Sequence, residues 1–316
     1  MRTSLLTPAL LSLLASTDLA SGLRIATSLQ WIEHTPQPYA IKHFYNGSST
    51  AQLISGGVQS LSSDKSIDLA ANAETQGLLT YASHRDVRLI YVICEVAYRL
   101  VADGSKGIKT LADLKGKKVG SMKGTSAGYF VSKLLGTAGL ADRDYTIVSG
   151  NVCMKAPCGA GTFPAMIKQG QVDAFGIWEP AVELGAQALG ADRAVMFGGD
   201  PKIYREVYSL YTTDAKLADP ATRKDIVAFV EALNKTLDVF TNKPETVYAD
   251  VAAAVGMDVD VVKAVWPVHK WTGRWGDDML DFITQEQTWL AGQNRQQAIS
   301  SADLAKFLDS DILDAL

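Results

Sequence analysis

Between residues 23 and 213, short apolar runs alternate with helical patterns, and from Asp219 onward the pattern is helix alone. The runs are Leu23–Ser28, Thr50–Ser55, Ser66–Ala71, Val87–Val96, Lys118–Met122, Tyr145–Ser149, Val172–Trp178, Arg193–Phe197 and Val207–Thr213. Strands that alternate with helices imply mostly parallel sheets covered on both faces. The tail, read as helices over 220–242, 244–255, 259–266, 277–292 and 302–309, has to pack on a body already formed. An aromatic loop, Trp266 to Trp275, separates two of those helices. These patterns predict an α/β chain of two lobes. The first comprises 23–105 and 210–316, the second 106–209, with the chain crossing near 103–117 and returning near 200–210. A 316-residue chain that is 47% hydrophobic and 20% charged has material for two such cores.

One stretch shows where a site would lie. Gln169 to Ala181 reads as a helix end, a turn, a buried strand and a new helix start. Gly170 can adopt the left-handed conformation that closes a helix. Val172 to Trp178 is short and apolar enough for a buried strand. Glu179-Pro180 suits a first helical turn, where proline is tolerated and a carboxylate complements the dipole. Trp178 and Glu179 therefore stand at the carboxyl end of a strand, where open α/β sheets bind ligands. Lys123-Gly-Thr-Ser-Ala127 is a second such place. A Gly/Thr/Ser turn opening a helix gathers free N–H groups and hydroxyls into a cradle for an anionic or polar group.

Residues 1–22 read as a secretory signal peptide: Arg2, a short apolar run from Leu5 to Leu14, then small residues before a cleavage site near Ala20-Ser-Gly22. They predict a secreted or lumenal protein, periplasmic if the source is bacterial. Cys153 and Cys158 are spaced to close a small loop, although spacing alone leaves their pairing open. Cys94 lies in an apolar run and reads as a buried thiol. Asn46 and Asn234 head glycosylation sequons. A net charge of −4 with no Lys/Arg run gives no reason to expect nucleic acid. No metal-ligand spacing, phosphate loop or dinucleotide fingerprint is present, so no metal or other cofactor is expected.

Several segments, in order, resemble the type II periplasmic solute-binding proteins, in particular the branch for sulfonates, taurine, nitrate and thiamine precursors. Gly107 to Gly120 resembles that family's passage into the second lobe. Lys123-Gly-Thr-Ser-Ala-Gly-Tyr129 stands where its helix-opening ligand turn lies. Gly170-Gln-Val-Asp-Ala-Phe-Gly-Ile-Trp-Glu-Pro180 resembles its Gly-x-Val-Asp-Ala-x-x-x-Trp-Glu-Pro segment, and Ser66-Ile-Asp-Leu-Ala70 the counterpart in the first lobe. The resemblance implies two α/β lobes, C-terminal helices packed on the first of them, a ligand in the cleft between, and usually a monomer. It implies ligand contacts at Ser28, Gln30, Trp31, Asn72, Glu74, Thr75, Gly124, Thr125, Ser126, Tyr129, Trp178 and Glu179. His34 joins them by loop proximity alone. The thiamine-pyrimidine synthases of this branch carry a cysteine-rich iron motif. The equivalent Tyr204 to Tyr211 contains no cysteine, so that activity is not implied.

The leading expectation is a secreted protein that closes its lobes over a small organic ligand. Trp31 and Trp178 would sandwich a flat or partly apolar body, and Thr125 and Ser126 would hold an anionic end. Its partners would be that ligand and, in a bacterium, a membrane importer. The alternative is an enzyme on the same scaffold, in a fungal biosynthetic setting, performing an acid/base isomerisation, elimination or cyclisation. Glu95, Glu179 and His34 are its candidate catalytic groups.

Overall fold

The computed structural model describes residues 22–316. The expected signal peptide lies, but for its last residue, outside them. The strands are β1 (Leu23–Thr27), β2 (Ala51–Ser55), β3 (Leu69–Ala73), β4 (Val87–Ala97), β5 (Arg99–Asp103), β6 (Lys118–Gly120), β7 (Thr146–Val148), β8 (Ala174–Ile177), β9 (Ala194–Gly198), β10 (Arg205–Thr213) and β11 (His269–Trp271). They form a six-stranded sheet in the order β11-β4-β10-β3-β1-β2 and a five-stranded sheet in the order β7-β6-β8-β5-β9. The α/β, two-lobed architecture is as expected.

The sheets are mixed rather than mostly parallel. β1 runs parallel to β2 and β3, and β6 to β7 and β8, because helical crossovers link them. β10 returns from the second sheet in the opposite sense and pairs antiparallel with β3 and β4. β5 likewise runs antiparallel to β8 and β9. The first crossing falls earlier than expected, while the return, between β9 and β10, falls near 200 as expected. Only Tyr98 separates β4 from β5, so 99–103 belong to the second sheet, and 205–209 belong to the first. An unbroken apolar run carries no mark where it changes sheets. β4 is buried almost throughout, which is why its sequence shows no alternation.

The tail contains one strand among its helices. β11 falls inside the aromatic loop and pairs with the end of β4, Lys270 opposite Glu95. Helix Pro220–Asn242 packs on helix Pro36–His43 and against β1, β4 and β11, while helix Met279–Gln293 packs on helix Glu74–Ser83, all around the first sheet. Helix Val259–Val265 reaches the other lobe, contacting helix Ala181–Leu189. There Val261 packs against Leu184 and Cys153, and Lys155 pairs with Asp258 at 2.7 Å.

Cys153 and Cys158 are joined by a disulfide, and Cys94 is free and buried. A loop this short restricts the unfolded chain modestly. Thiol reductant should lower the unfolding free energy by ~2 kcal/mol. The Cys153→Ser/Cys158→Ser variant should not respond. Denaturant titrations with and without reductant measure both.

Candidate functional site between the two sheets

A cavity of about 130 Å3 lies where the ends of β1, β3 and β8 meet the start of β10. Its first-lobe wall includes Ser28, Trp31, Glu33 and His34 from the loop after β1, with Asn72 at the end of β3. Thr125, Ser126 and Trp178 close it from the second lobe, and Glu206 and Tyr208 form its base on β10. Glu206 and Tyr208 are two apart on a strand and so face the same side.

The two indoles meet edge-to-face, with ring centroids 5.5 Å apart at 70°. They make one apolar wall across the lobes instead of a sandwich. The Trp178 indole nitrogen is buried without a partner. His34 stacks on Tyr208 at 4.4 Å. The Gln30 backbone N–H lies 3.4 Å from His34 Nδ1 and can only donate, so Nδ1 is the acceptor and also takes the Ser28 hydroxyl at 2.9 Å. The ring proton is then on Nε2, 3.8 Å from Glu33. Burial lowers the His34 pKa to about 4, against the opposing pull of Glu33. The imidazole is therefore neutral at pH 7 and offsets no carboxylate charge.

Glu206 is buried at the end of the return crossing. It accepts a hydrogen bond from Tyr98, which occupies the other crossing, and Ser126 Oγ lies 3.5 Å away. Burial, then the charges of Glu33 and Glu74, push its carboxyl well above the usual range. Neither Lys nor Arg lines the cavity. The site thus holds two carboxyl groups, Glu33 and Glu206, with no permanent cation.

The sequence model of the family described as "NMT1/THI5 like" matches residues 55–247, more than half of the 316 residues. The chain belongs to the NMT1/THI5-like family. A relative in Escherichia coli K12, a putative aliphatic sulfonates-binding protein, is 35% identical over 120 residues, which are 36% of this chain and 34% of that protein. The match thus spans about a third of that relative's length. Among solved structures, the alkanesulfonate-binding protein SsuA of Xanthomonas axonopodis pv. citri, bound to MOPS, superposes with a TM-score of 0.68 at 18% identity. That superposition covers 92% of this chain and 98% of that one. The periplasmic aliphatic sulphonate binding protein SsuA of Escherichia coli gives 0.69 at 19% identity over 90% and 91%. These likenesses establish the two-lobed type II binding-protein fold for this member of the NMT1/THI5-like family. Among the described residues, no helix is long and apolar enough to cross a membrane.

Of the residues the sequence pointed to, Ser28, Trp31, His34, Asn72, Thr125, Ser126 and Trp178 line the cavity. The others do not. Gln30 is exposed on the loop, and Gly124, at φ +71°, forms the turn before helix Ser126–Gly136. Thr125 contributes its hydroxyl to that turn, donating to the Met122 carbonyl at 2.7 Å. Glu74 is buried beneath, accepting from the Tyr204 hydroxyl at 2.5 Å and the Val207 N–H at 2.6 Å. Thr75 donates to Glu286. Tyr129 packs between Tyr204 and Trp289. Glu179 is held by Arg99 at 2.6 Å and accepts the Glu183 N–H, so it serves the helix start. Burial raises its pKa while Arg99 opposes the rise. Glu95 is paired with Arg205 at 2.9 Å on another surface.

Sequence reasoning missed Glu33, Glu206 and Tyr208. Glu33 adjoins His34 in a loop already suspected of facing the cleft. Glu206 sits just ahead of the Val207–Thr213 run, beside Arg205, and so lacks the isolated-acid signal that drew attention to Glu95.

Proposed function

We propose that the chain is a binding protein that captures a small organic molecule between its lobes by hinge closure, and that this molecule carries a cationic portion. The observation that carries the reading is the pair Glu33 and Glu206 in a cavity that no Lys or Arg lines. Carboxyl groups taken from water without a cation are costly unless something pairs with them. A protonated amine or amidine would supply the charge. Trp31 and Trp178 favour a flat or partly apolar body, admitted when opening parts the rings. The start of helix Ser126–Gly136 still suits an anionic end, and the sulfonate-binding relatives support one. A molecule bearing both charges satisfies both ends of the cavity.

Export is supported by the leader-like N-terminus and by the periplasmic relative, and we propose delivery to a membrane importer if the source is bacterial. Of the enzyme alternative's three candidate groups, Glu95 and Glu179 are committed to arginines outside the cavity and only His34 lines it, so the binding reading is preferred.

Native mass spectrometry of the purified protein, followed by denaturation, tests the ligand class. A bound species of small mass containing a basic nitrogen is expected. Release of an alkanesulfonate without one would overturn the cationic assignment.

A further inference from the structure

On a different surface, we propose a second ligand site, for a small organic anion with a ring face, in the hollow between the return crossing and the loop after β11. The hollow measures about 540 Å3, within the range of small-molecule pockets. Its floor is the Arg205–Glu95 pair at 2.9 Å, and Arg205 reaches Asp278 at 2.9 Å on its other side. Lys270 lies 3.5 Å from the second oxygen of Glu95. Both carboxylates of the hollow are therefore already engaged.

Two cations are left over. Lys202 comes from the return crossing and Arg274 from the loop, and neither side chain makes an ion pair or hydrogen bond among the described residues. Lys202, Arg205, Lys270 and Arg274 against Glu95 and Asp278 leave a positive excess of two in the lining. One wall is Trp275. Trp271 also borders the hollow, but it pairs with Cys94 of β4, so its indole faces the Tyr208 side of the sheet, packed against Phe240, Trp266 and His269. The buried hydroxyl of Thr272, in the lining, has no hydrogen-bond partner. A buried polar atom without a partner calls for one. Free cations, an unpartnered hydroxyl and an indole in one hollow are complementary to an anionic group attached to a ring. The guanidinium takes the anion in bidentate fashion and an indole takes the ring. Arg205 and Glu206 are consecutive on β10 and face opposite ways, so this hollow and the interlobe cavity lie on opposite faces of one strand.

The test uses the full chain with phenyl phosphate and inorganic phosphate as probes, followed by calorimetry and indole fluorescence. Phenyl phosphate is expected to bind at least about tenfold more tightly than phosphate, the ring supplying the difference. Arg274→Ala should weaken it about tenfold, the loss of one charge-assisted contact. Trp275→Ala should bring phenyl phosphate close to the affinity of phosphate. Glu33→Gln, which alters the interlobe cavity and the contact with His269 but no residue lining this hollow, should leave phenyl phosphate binding in place. Circular dichroism confirms that each variant is folded. No binding at millimolar probe, equal affinity for the two probes, or loss in Glu33→Gln without loss in Arg274→Ala would each overturn the proposal.

Discussion

Replacing Glu286 by glutamine is expected to stabilise the protein at alkaline pH by ~2 kcal/mol and to flatten the dependence of stability on pH. Glu286 and Glu74 are fully buried, on the packed helices Met279–Gln293 and Glu74–Ser83. Glu286 accepts from Thr75, and its Oε2 has no partner of its own apart from Glu74's side. Burial, and next the charge of Glu74, push the Glu286 carboxyl well above its ordinary range, and burial raises Glu74 as well. A carboxyl group raised in the folded state holds a proton that the unfolded chain has released. Stability from that proton is fully present below the ordinary carboxylate pKa and is lost as pH rises through the folded value. Glutamine imitates the protonated acid: its oxygen accepts from Thr75 and its amide donates to Glu74 without titrating. Glu286→Ala is the contrast. It strips Thr75 and Glu74 of a partner and leaves a hole, for a loss of ~3 kcal/mol. Urea titrations from acid to alkaline pH distinguish the variants. If Glu286→Gln is as unstable as Glu286→Ala at every pH, the two carboxyl groups do not share a proton.

The strand ends were legible because each is an apolar run that stops at a turn. That pattern located Thr125 and Trp178, and the family resemblance added Trp31 and Asn72; all four line the cavity. The pattern failed where sheet membership and register decide the outcome. β4 and β5 read as one extended stretch, and nothing in their composition marks Tyr98 as the point where the chain changes lobes. β11 hid in a loop because three residues are too few to show alternation. The clearest case is the choice between two acids. Glu95 and Glu206 are each a carboxylate in a β run. Register places Glu95 opposite Val207, on the face that carries Arg205, and Glu206 opposite Val96 on the other face. Glu95 thereby gains a cation two residues from its cross-strand neighbour. Glu206 gains Tyr98 and an open cavity. The partner of Glu95 lies 110 residues away, and only the pairing of β4 with β10 makes them neighbours.

The largest effect on binding is expected at the two carboxyl groups of the cavity, Glu33 and Glu206. Glu33→Gln is expected to weaken the ligand by about 100-fold, since removing one side of a buried charge pair typically costs 2–5 kcal/mol. Glu206 should show itself through pH. Burial makes its carboxyl hold a proton to higher pH than an ordinary carboxylate does, and a cationic ligand has to displace that proton. Affinity then rises with pH, by up to about tenfold per unit while the proton is being displaced, and levels off once Glu206 ionises unaided. Glu206→Gln removes the proton and with it the slope, leaving a weak, pH-independent interaction. Tyr98→Phe retains the carboxyl group but removes the hydroxyl that donates to it. The ionised form is then less stabilised, and the rise in affinity should move to higher pH. Calorimetry in buffers of differing ionisation enthalpy counts the proton released on binding. An affinity that falls as pH rises through this range would show instead that the ligand presents an anion to Glu206, with the retained proton as its partner.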